Sequence, residues 1–143
     1  MDVESYIKHL EESVKALDRS ADVLTAEATT LREDFWKLAT AGGEKAHYSF
    51  NVVKQGPSVR IRWARMTPLR KVGGEVARVV PKYLKVNKGE SYPAKVFTDA
   101  TPRELTLIVT YEPQLSLIRS EMKKNRAIRQ LLSRRITESR KQL

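Results

Sequence analysis

The sequence predicts an α+β fold: a long N-terminal heptad helix of coiled-coil type, a small antiparallel sheet, and a basic C-terminal helix. Three observations predict it. Apolar or small residues recur at alternating spacings of four and three from residue 3 to residue 38, and the period changes to two from residue 48. A helical pattern then returns from Gln114, on a surface dominated by arginine and lysine.

The first pattern runs Val3, Ile7, Leu10, Val14, Leu17, Ala21, Leu24, Ala28, Leu31, Phe35 and Leu38. With Ile7 at heptad position a, leucine holds every d position from Leu10 to Leu38, a combination that favours two strands. Such a rod rises about 1.5 Å per residue to roughly 50 Å and cannot bury its stripe on itself. Ile7, Leu10, Val14, Leu17, Leu24, Leu31, Phe35 and Leu38 are therefore the candidate dimerisation residues. The alternative partner is a later helix of the same chain, above all the C-terminal one, which carries the opposite charge.

The heptads stop at Ala39, Thr40, Ala41, Gly42 and Gly43, which places a boundary between an assembling helix (1–40) and a basic body (41–143). Tyr48, Phe50 and Val52 then alternate with Ser49, Asn51 and Val53; Gln55, Gly56, Pro57 and Ser58 supply a turn. Val59, Ile61 and Trp63 follow on one face of a second strand with Arg60 and Arg62 on the other, so a hairpin buries its apolar face on a helix and presents arginines. Further short strands are expected at 76–80, 83–86 and 95–97, with a turn at Asn87, Lys88 and Gly89 between the last two. Thr101, Pro102, Arg103 and Glu104 form a helix start with a capping hydroxyl, an N1 proline and a carboxylate three residues on. Residues 105–110 suit a strand as well as a helix, and Pro113 is expected to break or kink any helix through it. Beyond it, Leu115, Ile118, Met122, Ile128, Leu132 and Ile136 lie near one helical face.

A chain of 143 residues with 41% hydrophobic and 31% charged side chains can bury a modest core. No apolar run is long enough for a bilayer and no signal-peptide pattern opens the chain, so a cytoplasmic location is expected. Without cysteine, disulfides, thiolate metal sites and cysteine nucleophiles are excluded. The charge is segregated. Residues 1–40 carry five basic and nine acidic side chains, hence −4 of the total +10, which leaves +14 on residues 41–143. An acidic element that assembles and a basic element that meets a polyanion account for this better than solubility does.

Catalysis finds little footing. His9 lies at a solvent-facing heptad position; His47 could neighbour a phosphate or act as a base, but no partner residue stands near it in any recognised spacing. No phosphate-cradling glycine loop occurs, and no enzyme, metal or cofactor is expected. The polyanion signal is stronger. Arg60, Arg62 and Arg65 flank Trp63, and Arg119, Lys123, Lys124, Arg126, Arg129, Arg134 and Arg135 line the C-terminal helix. These are the candidate nucleic-acid contacts, with Trp63 as core and the arginines as an ordinary wet face the alternative.

The run Ser-Val-Arg-Ile-Arg-Trp at 58–63, the Tyr92-Pro93 pair, Tyr111-Glu112-Pro113 and Leu117-Ile118-Arg119 resemble, in order and spacing, the small mobilisation accessory proteins of integrating conjugative elements and related conjugative plasmids. The resemblance covers about residues 45–135 and excludes the heptads. It implies a DNA-processing auxiliary factor that acts with a relaxase at an origin of transfer without cutting DNA itself. The expected protein is thus a homodimer that binds double-stranded DNA, with a relaxase as protein partner; an interaction adaptor and an RNA-binding module remain the alternatives.

Overall fold

The computed structural model describes residues 1–56, 58–85 and 91–143, and of Ala77 the backbone alone. The fold is α+β as expected, with two long helices and a three-stranded antiparallel sheet in the order β1-β2-β3. Helix α1 (Val3–Ala39) begins on Asp2, whose carboxylate accepts from the Ser5 amide at 3.2 Å, and ends where Gly42 and Gly43 take positive φ values of 69° and 77°. Strand β1 (Tyr48–Gln55) pairs with β2 (Ser58–Arg70), which pairs in turn with β3 (Val76–Tyr83). Helix α2 (Pro102–Arg140) starts at Thr101, whose hydroxyl accepts from the Glu104 amide.

Several elements differ from expectation. The strand expected at 95–97 is a 3-10 turn, Ala94–Val96, which carries Phe97 into the core. Helix α2 takes in residues 105–110 and continues through Pro113. Pro113 and Val109, whose carbonyl loses its donor to the proline, are both exposed, so water can replace the missing bond. Strand β2 also runs further than the alternation suggested, through Pro68, because beyond Arg65 it has left β1 behind and has only β3 beside it. The first of the later strands extends to Tyr83, and Leu84 and Lys85 beyond it lie in no strand, so the separate strand expected at 83–86 does not form there; Val86, the turn at Asn87, Lys88 and Gly89, and Pro57 of the first turn lie outside the described residues.

The helices are antiparallel. Arg103 donates to the Leu38 and Ala39 carbonyls at one end, Arg129 to Asp18 midway, and Arg140 to Glu11 at the other. Ala21 and Ala28, small residues on the seam, are buried where the helices approach. Within one chain, then, α1 packs on the C-terminal helix. Of the eight residues assigned to a dimer seam, Ile7, Leu31 and Phe35 are buried in the chain's own interior, Leu10, Val14, Leu17 and Leu24 are half-buried, and Leu38 is exposed. Replacing Leu24 with aspartate is therefore expected to destabilise the chain itself by about 2 kcal/mol or more, read as a lower urea midpoint. A variant that keeps its midpoint and only loses mass in light scattering would return the seam to an interchain role.

The core sits where the sheet closes over the two helices. Phe35 of α1 meets the rings of Phe50, Trp63 and Tyr111 at centroid distances of 5.8, 5.1 and 5.5 Å, and Phe97 closes on Trp63 at 5.3 Å and on Tyr48 at 5.2 Å. Tilted and edge-on contacts of this kind add to the area they bury. One buried cluster therefore spans the boundary expected at residue 40, since Ala28, Leu31 and Phe35 share it with the sheet and α2.

Candidate nucleic-acid interface

Two buried carboxylates of α2 bind the sheet to the helices. Glu112 accepts from the Trp63 indole nitrogen at 2.9 Å and from the Tyr92 amide at 2.8 Å. Arg119, two turns further along, reaches both oxygens at 2.9 and 3.0 Å, donates through Nε to the Ile61 carbonyl at 2.9 Å, and stands 4.9 Å from the Tyr92 ring centroid. Only 8% of the Glu112 side chain and 12% of that of Arg119 is exposed. The structure thus gives Arg119, expected among the nucleic-acid contacts, a different task, because its guanidinium neutralises a carboxylate the fold has already buried. Glu104 does the same at the start of β1. Where a capping box was expected, its carboxylate turns from its own helix and accepts from the amides of His47 and Tyr48 at 3.0 and 2.8 Å, with His47 Nδ1 at 3.2 Å.

The remaining cations differ in their contacts and in their exposure. Arg129 pairs with Asp18 at 2.8 Å, which holds the Asp18 carboxyl below the usual carboxylate range and raises Arg129. That pair's small contribution is present above the ordinary carboxylate pKa and is lost as pH falls through the lowered one. Arg65 meets Asp99 at 2.5 Å, Lys124 meets Glu121 at 3.1 Å, and Arg135 lies 4.0 Å from Glu138. Lys123, Arg126 and Arg134 are exposed at spacings of three and eight, which puts them on one flank of α2 with Gln130 between. That flank begins at a hollow of about 150 Å³ beside Ser58 and Val59 at the start of β2. Among the described residues neither Arg126 nor Arg134 meets a carboxylate.

On the sheet, Asn51 pairs with Arg62 and Ala64 with Tyr83, so these side chains share the face opposite the aromatic core. Arg60 is exposed on that face, and the Arg62 guanidinium stands 3.9 Å from the Tyr83 ring centroid. Residues 48–85 hold nine lysines and arginines against the single acid Glu75. Trp63 is core, fully buried, while its arginine neighbours take the wet side.

A family model described as MobI protein matches residues 24–133. The chain belongs to the MobI family. The family is mobilisation-related, and the matched span of this MobI chain takes in the sheet, the Glu112–Arg119 cluster and α2 as far as Ser133. It includes the candidate contacts Arg60, Arg62, Arg65, Lys123, Lys124, Arg126 and Arg129 and leaves out Arg134 and Arg135. No curated protein and no solved structure is matched. Of the short motifs behind the resemblance, Trp63, Tyr92, Tyr111, Glu112 and Arg119 lie in the interior and hold the fold, while Arg60, Pro93, Pro113 and Leu117 are exposed. Trp36 and Tyr83, 41% and 39% exposed, carried one available signal each: Trp36 sits off the heptad seam, and Tyr83 ends a basic strand. Among the described residues no helix is long and apolar enough to cross a membrane, and no group of three or more His, Cys, Asp or Glu side chains could hold a metal ion.

Proposed function

We propose that this MobI chain is a non-catalytic DNA-binding accessory protein that assists a relaxase at an origin of conjugative transfer. The observation that carries the reading is the exposed flank of Lys123, Arg126 and Arg134, which the acidic helix α1 does not cover even though it packs along the same α2. From Lys123 to Arg134 the flank rises about 17 Å, which matches roughly five base pairs of duplex at 3.4 Å each. With α1 on one side and the sheet on another, α2 lies along a phosphate backbone more readily than it enters a major groove about 12 Å wide. Phosphate contacts position without reading sequence, so any preference for a site falls to further contacts with base edges.

The test is a fluorescence-anisotropy titration against a duplex from the element's own origin of transfer and a scrambled duplex of equal length. Tighter binding to the native duplex that persists as salt rises supports the accessory role at that site; equal, salt-labile binding reduces it to a basic surface. A second reading, an adaptor that docks on a protein, is favoured by Leu69, Val72, Val76 and Val79, exposed apolar residues around the β2–β3 turn. Nuclease-sensitive nucleobase absorbance in the purified protein supports the first reading and its absence the second.

A further inference from the structure

We infer that the sheet face opposite the aromatic core, together with Trp36, is a platform for single-stranded nucleic acid on which unpaired bases stack. The inference rests on the DNA-binding reading and adds to it a second surface with a different ligand. Trp36 projects from α1 beside the edge strand β1 and lines a hollow of about 430 Å³ with Ser49, Asn51 and Met66. Arg32 and Lys37 stand at its rim, and Glu33 is the one acid there. Volumes of this order suit a base and its sugar.

The hollow is continuous with the rest of the face. Asn51, which lines it, donates to the Tyr83 hydroxyl at 2.7 Å across the sheet, and Arg62 stands over the Tyr83 ring. Two exposed aromatic rings and a guanidinium therefore lie along one track that crosses from α1 over β1 and β2 to β3. Strands are spaced about 4.8 Å apart, so the sheet part of the track is about 10 Å wide. A four-stranded sheet of known type stacks roughly two or three bases on such a face.

The geometry favours a single strand over a duplex. A duplex offers phosphates and base edges, whereas aromatic faces and guanidinium planes engage the faces of bases, which are open only when the strand is unpaired. Residues 48–85 carry nine basic side chains against one acid, and Arg60 and Arg62 on this face provide the charge complement for the sugar-phosphate backbone. An acidic protein would use that charge but has no need of the exposed rings. Asn51 and Ser49 supply donor and acceptor groups at the floor without fixing one base, so modest base preference is expected.

The chain contains only two tryptophans, and Trp63 is fully buried, so quenching of intrinsic fluorescence on adding an oligonucleotide reports on Trp36. Titration of the full chain with oligo-dT about 12 nucleotides long is expected to quench that emission. Trp36→Ala should remove the signal and weaken oligo-dT binding, followed by the label on the oligonucleotide, about tenfold, the scale of losing one stacked base. Tyr83→Leu should weaken it several-fold, while both variants bind duplex as the native chain does. Alanine at an exposed helical site and leucine on an edge strand leave the fold in place, and an unchanged Tm checks this. Duplex binding without oligo-dT binding, oligo-dT binding without quenching, or native-like affinity in both variants overturns the platform and leaves the DNA-binding reading standing. Failure to bind either nucleic acid overturns both.

Discussion

Glu112→Ala is expected to cost about 3–5 kcal/mol of folding stability, the scale for breaking a buried ion pair by removing one partner. The loss is large because one carboxylate serves three donors. Without it the Trp63 indole N–H and the Tyr92 amide lose their acceptor in the interior, and the Arg119 guanidinium keeps its charge at 12% exposure with no carboxylate beside it. Urea unfolding measures the effect through the midpoint. Replacing both partners together, Glu112→Leu with Arg119→Met, should restore much of the loss, since apolar residues of similar volume often replace a buried pair at little cost. If instead Glu112→Ala shifts the midpoint by less than about 1 kcal/mol while Arg119→Met abolishes duplex binding in folded protein, Arg119 belongs to the DNA surface after all and the interior reading of the cluster fails.

The second large effect concerns affinity and salt. If Lys123, Arg126, Arg134 and Arg60 each neutralise one phosphate, log K falls against log salt with a slope of about −3.6. Arg126→Ala with Arg134→Ala removes two of the four contacts. The slope should shrink by about 2, and affinity for every duplex should fall about tenfold per contact near 0.1 M salt. Stability should hardly change, because both side chains are exposed and among the described residues neither meets a carboxylate. Arg129→Ala is the internal control. Its guanidinium is occupied by Asp18, so its loss should leave the slope close to native. A slope that is flat in the native chain, or unchanged in the double variant, would remove the α2 flank as the DNA surface.

The contrast between these two experiments separates arginines that look alike in the sequence. Arg119, Arg126, Arg129 and Arg134 all stand in one basic run, and nothing in their spacing told a buried ligand of Glu112 from an open phosphate contact. Partners decided it: Arg119 takes Glu112, which Trp63 and Tyr92 hold in the interior from 49 and 20 residues away, and Arg129 takes Asp18, 111 residues away. Such distant partners leave no local periodicity. Glu104 is a similar case. Its place three residues after Thr101 promised a reciprocal cap, but the amides of His47 and Tyr48 compete for the same carboxylate in a buried setting, where a satisfied donor is worth more than at an exposed helix end.

By itself the sequence determined the α+β class, the first long helix, the second from Gln114 onward, the first hairpin with its apolar and arginine faces, and the helix start at Thr101, because each rests on periodicity or capping chemistry within a few residues. It also determined the segregation of charge. The tertiary structure decided what each pattern packs against: that the α1 seam meets α2 of the same chain, that Pro113 is tolerated on an exposed side, that 94–96 forms a 3-10 turn under Phe97, and that Trp36, Asn51, Arg62 and Tyr83 line one continuous track. The physical reason is one of range. Periodicity says that a stripe must be covered, while the identity of the cover depends on long-range packing and on charge pairs that no window of the sequence contains.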